Sequence, residues 1–178
     1  MANHDKVALI TGAGSGVGRA TAIAFLREGY RTVLAGRRRE ALEETRKLCG
    51  AVAERVLVVS CDVTDPKSVS QLFADCKRRF GRLDVLFNNA GVSLGGSIED
   101  VSIKDWLTTL ATNLSGPFYC TQEAFRMMKD QDPGGGRIIT DFGSVTSQLT
   151  TSTRSATAPQ SFAVSSSASL RRTASTVR

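Results

Sequence analysis

Eight residues near the start of the chain, Thr11-Gly12-Ala13-Gly14-Ser15-Gly16-Val17-Gly18, have a composition suited to holding an anion. Glycines let backbone N–H groups approach a phosphate closely. A helix opening just after them adds first-turn amides without acceptors and the positive end of its dipole. A phosphate loop ending in Gly-Lys-Ser/Thr is excluded, because Arg19-Ala20 follows Gly18. The G-x-G-x-x-G fingerprint also fails: its third glycine falls on Val17 counting from Gly12, and on Arg19 counting from Gly14. The spacing that fits is Gly12-x-x-x-Gly16-x-Gly18. A plain flexible glycine turn is the competing reading.

Other chemistry has little raw material. His4 is the one histidine, so a histidine-based triad or an ordinary zinc site is not expected, and no metal is predicted. Cys49, Cys61, Cys76 and Cys120 are widely spaced, without a C-x-x-C pair, and read as small core residues.

The elements that must position the loop alternate along the first 144 residues. Val7-Ala8-Leu9-Ile10 is apolar throughout, as a strand buried on both faces would be. A helix follows the glycines, with Ala20, Ile23, Ala24, Phe25 and Leu26 as its apolar positions and Gly29 as its stop. "RTVLAG" reads as a second strand, "RRREALEETRKLCG" as an amphipathic helix, and "RVLVVSCDV" as a third strand. Asp65-Pro66 opens a helix with Val69, Leu72, Phe73 and Cys76 at i, i+3, i+4 and i+7. "RLDVLFNNAG" is a fourth strand and turn, residues from about Ser102 to Lys129 are helical, and "RIITDFGS" is a fifth strand. This alternation predicts an α/β fold: a doubly wound parallel sheet with helices on both faces, ending after the fifth strand. Ligands bind such sheets beyond the carboxyl ends of the strands.

Taken in order, T-G-x-x-x-G-x-G after the first strand, Asp62-Val63 after the third, Asn88-Asn89-Ala90-Gly91 after the fourth, Asn113, and Ser144 after the fifth resemble the short-chain dehydrogenase/reductase family. The resemblance covers about residues 5–146. It implies a Rossmann-type domain and hydride transfer between a nicotinamide cofactor and a carbonyl or alcohol. It also implies that Gly12, Ser15, Gly16, Val17 and Gly18 meet the cofactor phosphates. Asp62 and Val63 would meet the adenine, and Asn89, Ala90 and Gly91 the adenosine and strand edge. Asn113 would hold a helix kink and a relay water, and Ser144 would hydrogen-bond the substrate oxygen. The lesser alternatives are that Asp62 simply caps or turns the chain before Pro66 and that the Asn pair merely shapes a turn.

Charge suggests which cofactor. An acid at the end of the second strand would bind a ribose 2′-hydroxyl. That place reads Gly36-Arg37-Arg38-Arg39 instead, and arginine suits a 2′-phosphate. Arg37 and Arg38 therefore predict NADP(H) over NAD(H), with Arg19 a second candidate. A solvated helix start is the alternative.

The family's acid/base pair, a tyrosine with a lysine four residues later, belongs about a dozen residues after the serine. Here positions 157 and 161 are Thr157 and Ser161, and no Tyr, Lys, His, Asp, Glu or Cys follows Ser144. Residues 145–178 contain 16 Ser and Thr among 34 residues. The expected organisation is an NAD(P)-binding domain over 1–146 and a Ser/Thr-rich, disordered tail over 147–178. An oxidoreductase with impaired catalysis, a non-catalytic NADP-binding protein, and a truncated or frame-shifted product are the readings left open. Permitted codons for Ala156–Ser161, read from the third base, yield Tyr-Ser-Ala-Thr-Lys, which motivates the last.

The formal charge is +6, but four arginines and no acid lie in 145–178, leaving +2 for the rest. Without a basic helix carrying aromatics, nucleic-acid binding is not expected. No apolar run approaches a membrane span, and the start lacks a signal-like apolar stretch, so a cytoplasmic protein without membrane contact is expected. The resemblance implies a small-molecule carbonyl or alcohol substrate and a homo-oligomer. The departure after Ser144 counts against the oligomer here.

Overall fold

A computed structural model describes residues 5–94 and 97–141. Ser144, the expected tail and the last part of the predicted fifth strand lie outside the described residues. Five parallel strands form one sheet: β1 (Val7–Thr11), β2 (Arg31–Gly36), β3 (Val56–Ser60), β4 (Val85–Asn88) and β5 (Arg137–Thr140). Their spatial order is β3-β2-β1-β4-β5. The chain runs outward from β1 to β3, returns to the other side of β1 as β4, and continues to β5. The reversal lies between β1 and β4, where a crevice opens beyond the strand ends. Ile10 is in register with Leu34 on one side and Phe87 on the other, so the three central strands end at one level.

Alternation along the strands divides the core into two layers, as the two-residue period of a strand requires. Val7 and Leu9 face the helices α3 (Pro66–Phe80) and α5 (Gly116–Asp130), packing with Val69, Leu72, Cys120 and Ala124. Ala8 and Ile10 face α1 (Gly16–Arg27) and α2 (Arg39–Leu48), packing with Ala22, Leu26 and Leu42. Burying each of these leucines contributes about 1.5–3 kcal/mol.

The expected α3 stripe of Val69, Leu72, Phe73 and Cys76 is the buried one. Asp65 caps this helix by accepting from the N–H groups of Lys67 and Ser68, and Gly81 ends it at φ 76°. The expected face of α1 needs correction. Gly18, Ala22 and Leu26 are buried, Ile23 and Phe25 are half-buried, and Ala20 and Ala24 are exposed. The helix starts at Gly16, and Gly18 takes a place on its packed face. There the missing side chain, rather than an apolar one, permits contact. A Cβ on Gly18 would lie 2.4 Å from the Gly12 carbonyl oxygen and 2.5 Å from Asn89 Nδ2.

The predicted helix from Ser102 to Lys129 is two helices. α4 (Ile103–Leu110) leads through a π-helical turn, Ala111–Ser115, into α5. Among the described residues, no helix is long and apolar enough to cross a membrane.

Candidate functional site

The glycine loop leaves β1 at the crevice. Gly12 takes φ 68° and Gly16 φ 52°, left-handed conformations that glycine adopts without steric cost. Ser15 is the N-cap of α1 in extended backbone, yet its side chain makes no capping hydrogen bond, and the first turn carries no acid. The orphan N–H groups of α1 therefore face outward without a side-chain acceptor. By contrast, Ser102 caps α4 by accepting from Asp105 N–H. A Cβ on Gly16 would meet nothing within 4 Å. The helix end opens onto space.

That space is an open cleft of about 770 Å³ across the ends of β1, β2, β3 and β4. Gly12, Ser15, Gly16 and Val17 form one wall. Arg37 and Arg38 lie at the mouth of α2, Asp62 and Val63 beyond β3, and Asn89, Ala90 and Gly91 beyond β4. The loop, the two arginines and the segments after β3 and β4 thus converge on one cleft. Gly18 stands behind the wall and lets α1 press against Gly12 and Asn89.

Polar side chains anchor these segments. Thr11, buried, accepts at Oγ1 from the N–H groups of Asn89 and Ala90, each at 3.0 Å. Asn89 returns Nδ2–H to the Thr11 carbonyl at 3.0 Å. The Asn89 amide therefore ties β4 to β1, and Ala90 and Gly91 line the cleft beside it. Asn88 donates to Thr121 and Thr140, each at 3.3 Å, linking the end of β4 to α5 and β5. Asp62 does turn the chain: its Oδ1 accepts from Thr64 N–H at 2.9 Å and from the Thr64 hydroxyl at 2.8 Å. It also lines the cleft, so the two readings of this residue are compatible.

Asn113 is buried inside the π-helical turn, and its amide makes a two-way clamp on Val92. Oδ1 accepts from Val92 N–H at 2.9 Å while Nδ2 donates to the Val92 carbonyl at 2.8 Å. The widened turn and the clamp hold the loop after β4 against α4 and α5. Its neighbour Thr112 is the residue that reaches the cleft.

Arg37 and Arg38 are exposed, and neither has an ion-pair partner among the described residues. Arg39 is committed to Glu43 at 3.4 Å. Arg19 is a different case. Its guanidinium bonds Gly14 O, Thr45 and Glu44 and is absent from the cleft lining, so it braces the loop from behind.

Cleft residues that sequence reasoning missed include Ala41, Leu42, Cys61, Thr112 and Asp141. No local motif marks them, because packing brings them there. Cys61, Cys76 and Cys120 are buried, and Cys49 is half-buried. Burial pushes the Cys61 thiol above its usual value, with the Ser68 hydrogen bond opposing.

A model of the short chain dehydrogenase family matches residues 6–165, beyond residue 146, where the recognisable motifs stop. An uncharacterized oxidoreductase of Staphylococcus aureus strain USA300 is 38% identical over 130 residues, covering 73% of this chain and 55% of that protein. A 3beta-hydroxysteroid dehydrogenase of Mediterraneibacter gnavus is 36% identical over 139 residues, covering 76% and 48%. Among solved structures, a short-chain type dehydrogenase/reductase from Mycobacterium marinum aligns with a TM-score of 0.73 at 32% identity, covering 78% of this chain and 56% of that one. A variant of actinorhodin polyketide ketoreductase with NADPH aligns at 0.72 and 35%, covering 79% and 54%. The chain spans about half the length of the curated relatives it matches. It belongs to the short-chain dehydrogenase family.

Proposed function

We propose that the cleft binds a nicotinamide dinucleotide and takes NADP(H) in preference to NAD(H). The observation that carries this is the meeting of four features in one cleft: the uncapped start of α1, Arg37 and Arg38 at the mouth of α2 without an ion-pair partner among the described residues, Asp62-Val63, and Ala90-Gly91. The open N-terminus of α1 suits a pyrophosphate, and the glycines leave room for it. Arg37 and Arg38 suit a 2′-phosphate, which a guanidinium grips through parallel N–H donors. The relative solved with NADPH supports the same choice. When bound, the cofactor supplies or accepts a hydride at a carbonyl or alcohol carbon.

For the chemical step, the residues on the chain are Asn113, as a holder of the cleft wall, and Ser144, as a donor to a substrate oxygen. A serine alone does not replace a tyrosine whose pKa a lysine lowers. General acid–base help is typically worth about 10²–10⁴-fold. With Thr157 and Ser161 where the family's tyrosine and lysine belong, the chain binds cofactor and turns over poorly. A non-catalytic NADP-binding protein is the alternative that this absence favours. A frame-shifted tail would explain the same absence, and the codons for Ala156–Ser161 decide it.

Titration of the chain with NADPH and NADH, run beside an assay on carbonyl substrates, tests the reading. Tighter NADPH binding with little turnover is the expected result. Tighter NADH binding, or turnover at ordinary enzyme rates, contradicts it.

A further inference from the structure

We propose that Arg19 and Thr45 are positioning residues that hold the glycine loop in its phosphate-accepting shape, with α2 as the rigid wall behind it. The inference rests on the reading of the cleft as a nicotinamide dinucleotide site.

Thr45 lies inside α2 and is fully buried. Its single hydroxyl proton is shared between the Ala13 carbonyl, at 2.9 Å, and the Ala41 carbonyl of its own helix, at 3.0 Å. The same oxygen accepts from Arg19 Nε at 3.1 Å. Arg19 Nη2 donates to the Gly14 carbonyl at 2.5 Å and pairs with Glu44 at 3.3 Å. Two consecutive loop carbonyls, those of Ala13 and Gly14, are therefore held by side chains of α1 and α2. Gly14 also rests on α2, since a Cβ there would lie 3.0 Å from the Cβ of Ala41. On the other side of Ala13, its N–H donates to Ala35 O of β2 at 3.2 Å.

The planar trans peptide turns these bonds into a statement about the cleft. In each peptide unit the C=O and the following N–H point in opposite directions. Fixing the Ala13 carbonyl toward Thr45 sends the Gly14 N–H the other way. Fixing the Gly14 carbonyl toward Arg19 does the same to the Ser15 N–H. Gly14 and Ser15 both line the cleft, and the described hydrogen bonds give neither N–H a protein acceptor. Two donors are thus aimed in advance at the place where a phosphate would lie. Without Thr45 or Arg19 the carbonyls are released, and a glycine-rich loop has ample freedom to rotate a carbonyl toward the anion. α2 also begins beside Arg37 and Arg38, so one helix braces the pyrophosphate end and presents the 2′-phosphate end.

Three variants of the chain separate this role from a merely structural one: Thr45→Val, which keeps shape and loses the hydroxyl, Thr45→Ser, which restores it, and Arg19→Met. Affinity is read for NADPH, for NADH, and for adenosine 2′-phosphate, which has no pyrophosphate. Thr45→Val and Arg19→Met should each weaken NADPH and NADH by the same factor, about tenfold, the worth of one hydrogen bond. Adenosine 2′-phosphate should stay within about twofold, as should every ligand on Thr45→Ser, because those contacts are kept. Retained dinucleotide affinity in both variants would overturn the proposal. So would an equal loss on adenosine 2′-phosphate, which would mark general loosening of the domain. Should Thr45→Val not fold, Arg19→Met, at a half-buried helix position, decides alone. An unchanged chain that binds neither dinucleotide refutes the cleft reading itself, before any variant is compared.

Discussion

Arg37 has no carboxylate partner among the described residues, whereas its neighbour Arg39 spends its charge on Glu43. Replacing Arg37 by aspartate should therefore cost NADPH one charge-assisted contact, about 1.5–3 kcal/mol, and leave NADH nearly unchanged. Paired affinities of Arg37→Asp check this, and an unaltered NADPH-to-NADH ratio contradicts it. Two loop glycines should respond in different ways. On Gly18 an added methyl meets backbone at 2.4 Å, so Gly18→Ala must move α1 and should cost about 1–3 kcal/mol as an overpacked site. On Gly16 the methyl meets nothing, but φ 52° remains, so Gly16→Ala should cost about 1–2 kcal/mol from backbone strain alone. Denaturant unfolding reads both costs, and amide exchange separates them: only Gly18→Ala should change exchange at Gly12 and Asn89. The buried thiols set an alkaline limit. Burial pushes Cys76 up to about 12, and burial, with Cys61 adding, pushes Cys120 up to about 12, both from 9.0. The unfolded chain releases these protons near its ordinary thiol pKa while the folded chain keeps them. Their stabilisation is full below that value and is lost as pH rises toward 12, by at most about 1.4 kcal/mol per pH unit per thiol. Cys76→Ala should flatten the fall in stability above about pH 9, and an unchanged slope in urea titrations argues against it.

At the break between α4 and α5 a single amide clamps the chain to the loop after β4. Asn113 both donates to and accepts from Val92, so Asn113→Asp keeps the acceptor and sets a carboxylate oxygen against the Val92 carbonyl. That substitution should destabilise by about 1–3 kcal/mol, the cost of a buried polar group left unpaired, and should speed exchange at Val92 N–H. Stability within error of the unchanged chain would contradict the clamp. The same residue marks where sequence reading reaches its limit. "ATNLS" contains neither glycine nor proline, so nothing local announces a π turn, and Asn113 stood out only through the family resemblance. The glycine loop was legible because it follows an apolar strand run and opens a helix, whereas Asp62-Val63 and Ala90-Gly91, like Asn113, stood out through the family resemblance. Strand identities were legible as short apolar runs, and the α3 stripe from its helical period. The packed face of α1 was not, because Gly18 contributes through the absence of a side chain, which hydrophobicity cannot score. Thr45 was equally hidden: on a charged, amphipathic helix a threonine looks incidental until Ala13 and Arg19 are folded against it.

Across the whole molecule, the described surface is uneven. Ile103, Trp106, Leu107, Leu114, Phe118 and Phe125 are exposed along α4, the π turn and α5, and Ile139 is exposed on β5, the outer strand of the described sheet. Apolar surface of this extent, with an outer strand nearby, favours association. The chain should therefore show concentration-dependent sedimentation, and Phe118→Glu with Phe125→Lys should reduce it. A monodisperse, cooperatively unfolding monomer would count against this. Neither Phe118 nor Phe125 lines the cleft, so those two substitutions should leave cofactor affinity intact. Amide hydrogen exchange with and without NADPH shows whether a nicotinamide dinucleotide occupies the crevice where the sheet reverses. Protection is predicted at Gly14–Val17, at Asp62-Val63 and at Ala90–Val92, with α4 unchanged. NADPH that leaves those three segments exchanging as before, or that protects residues away from the cleft, would contradict the account.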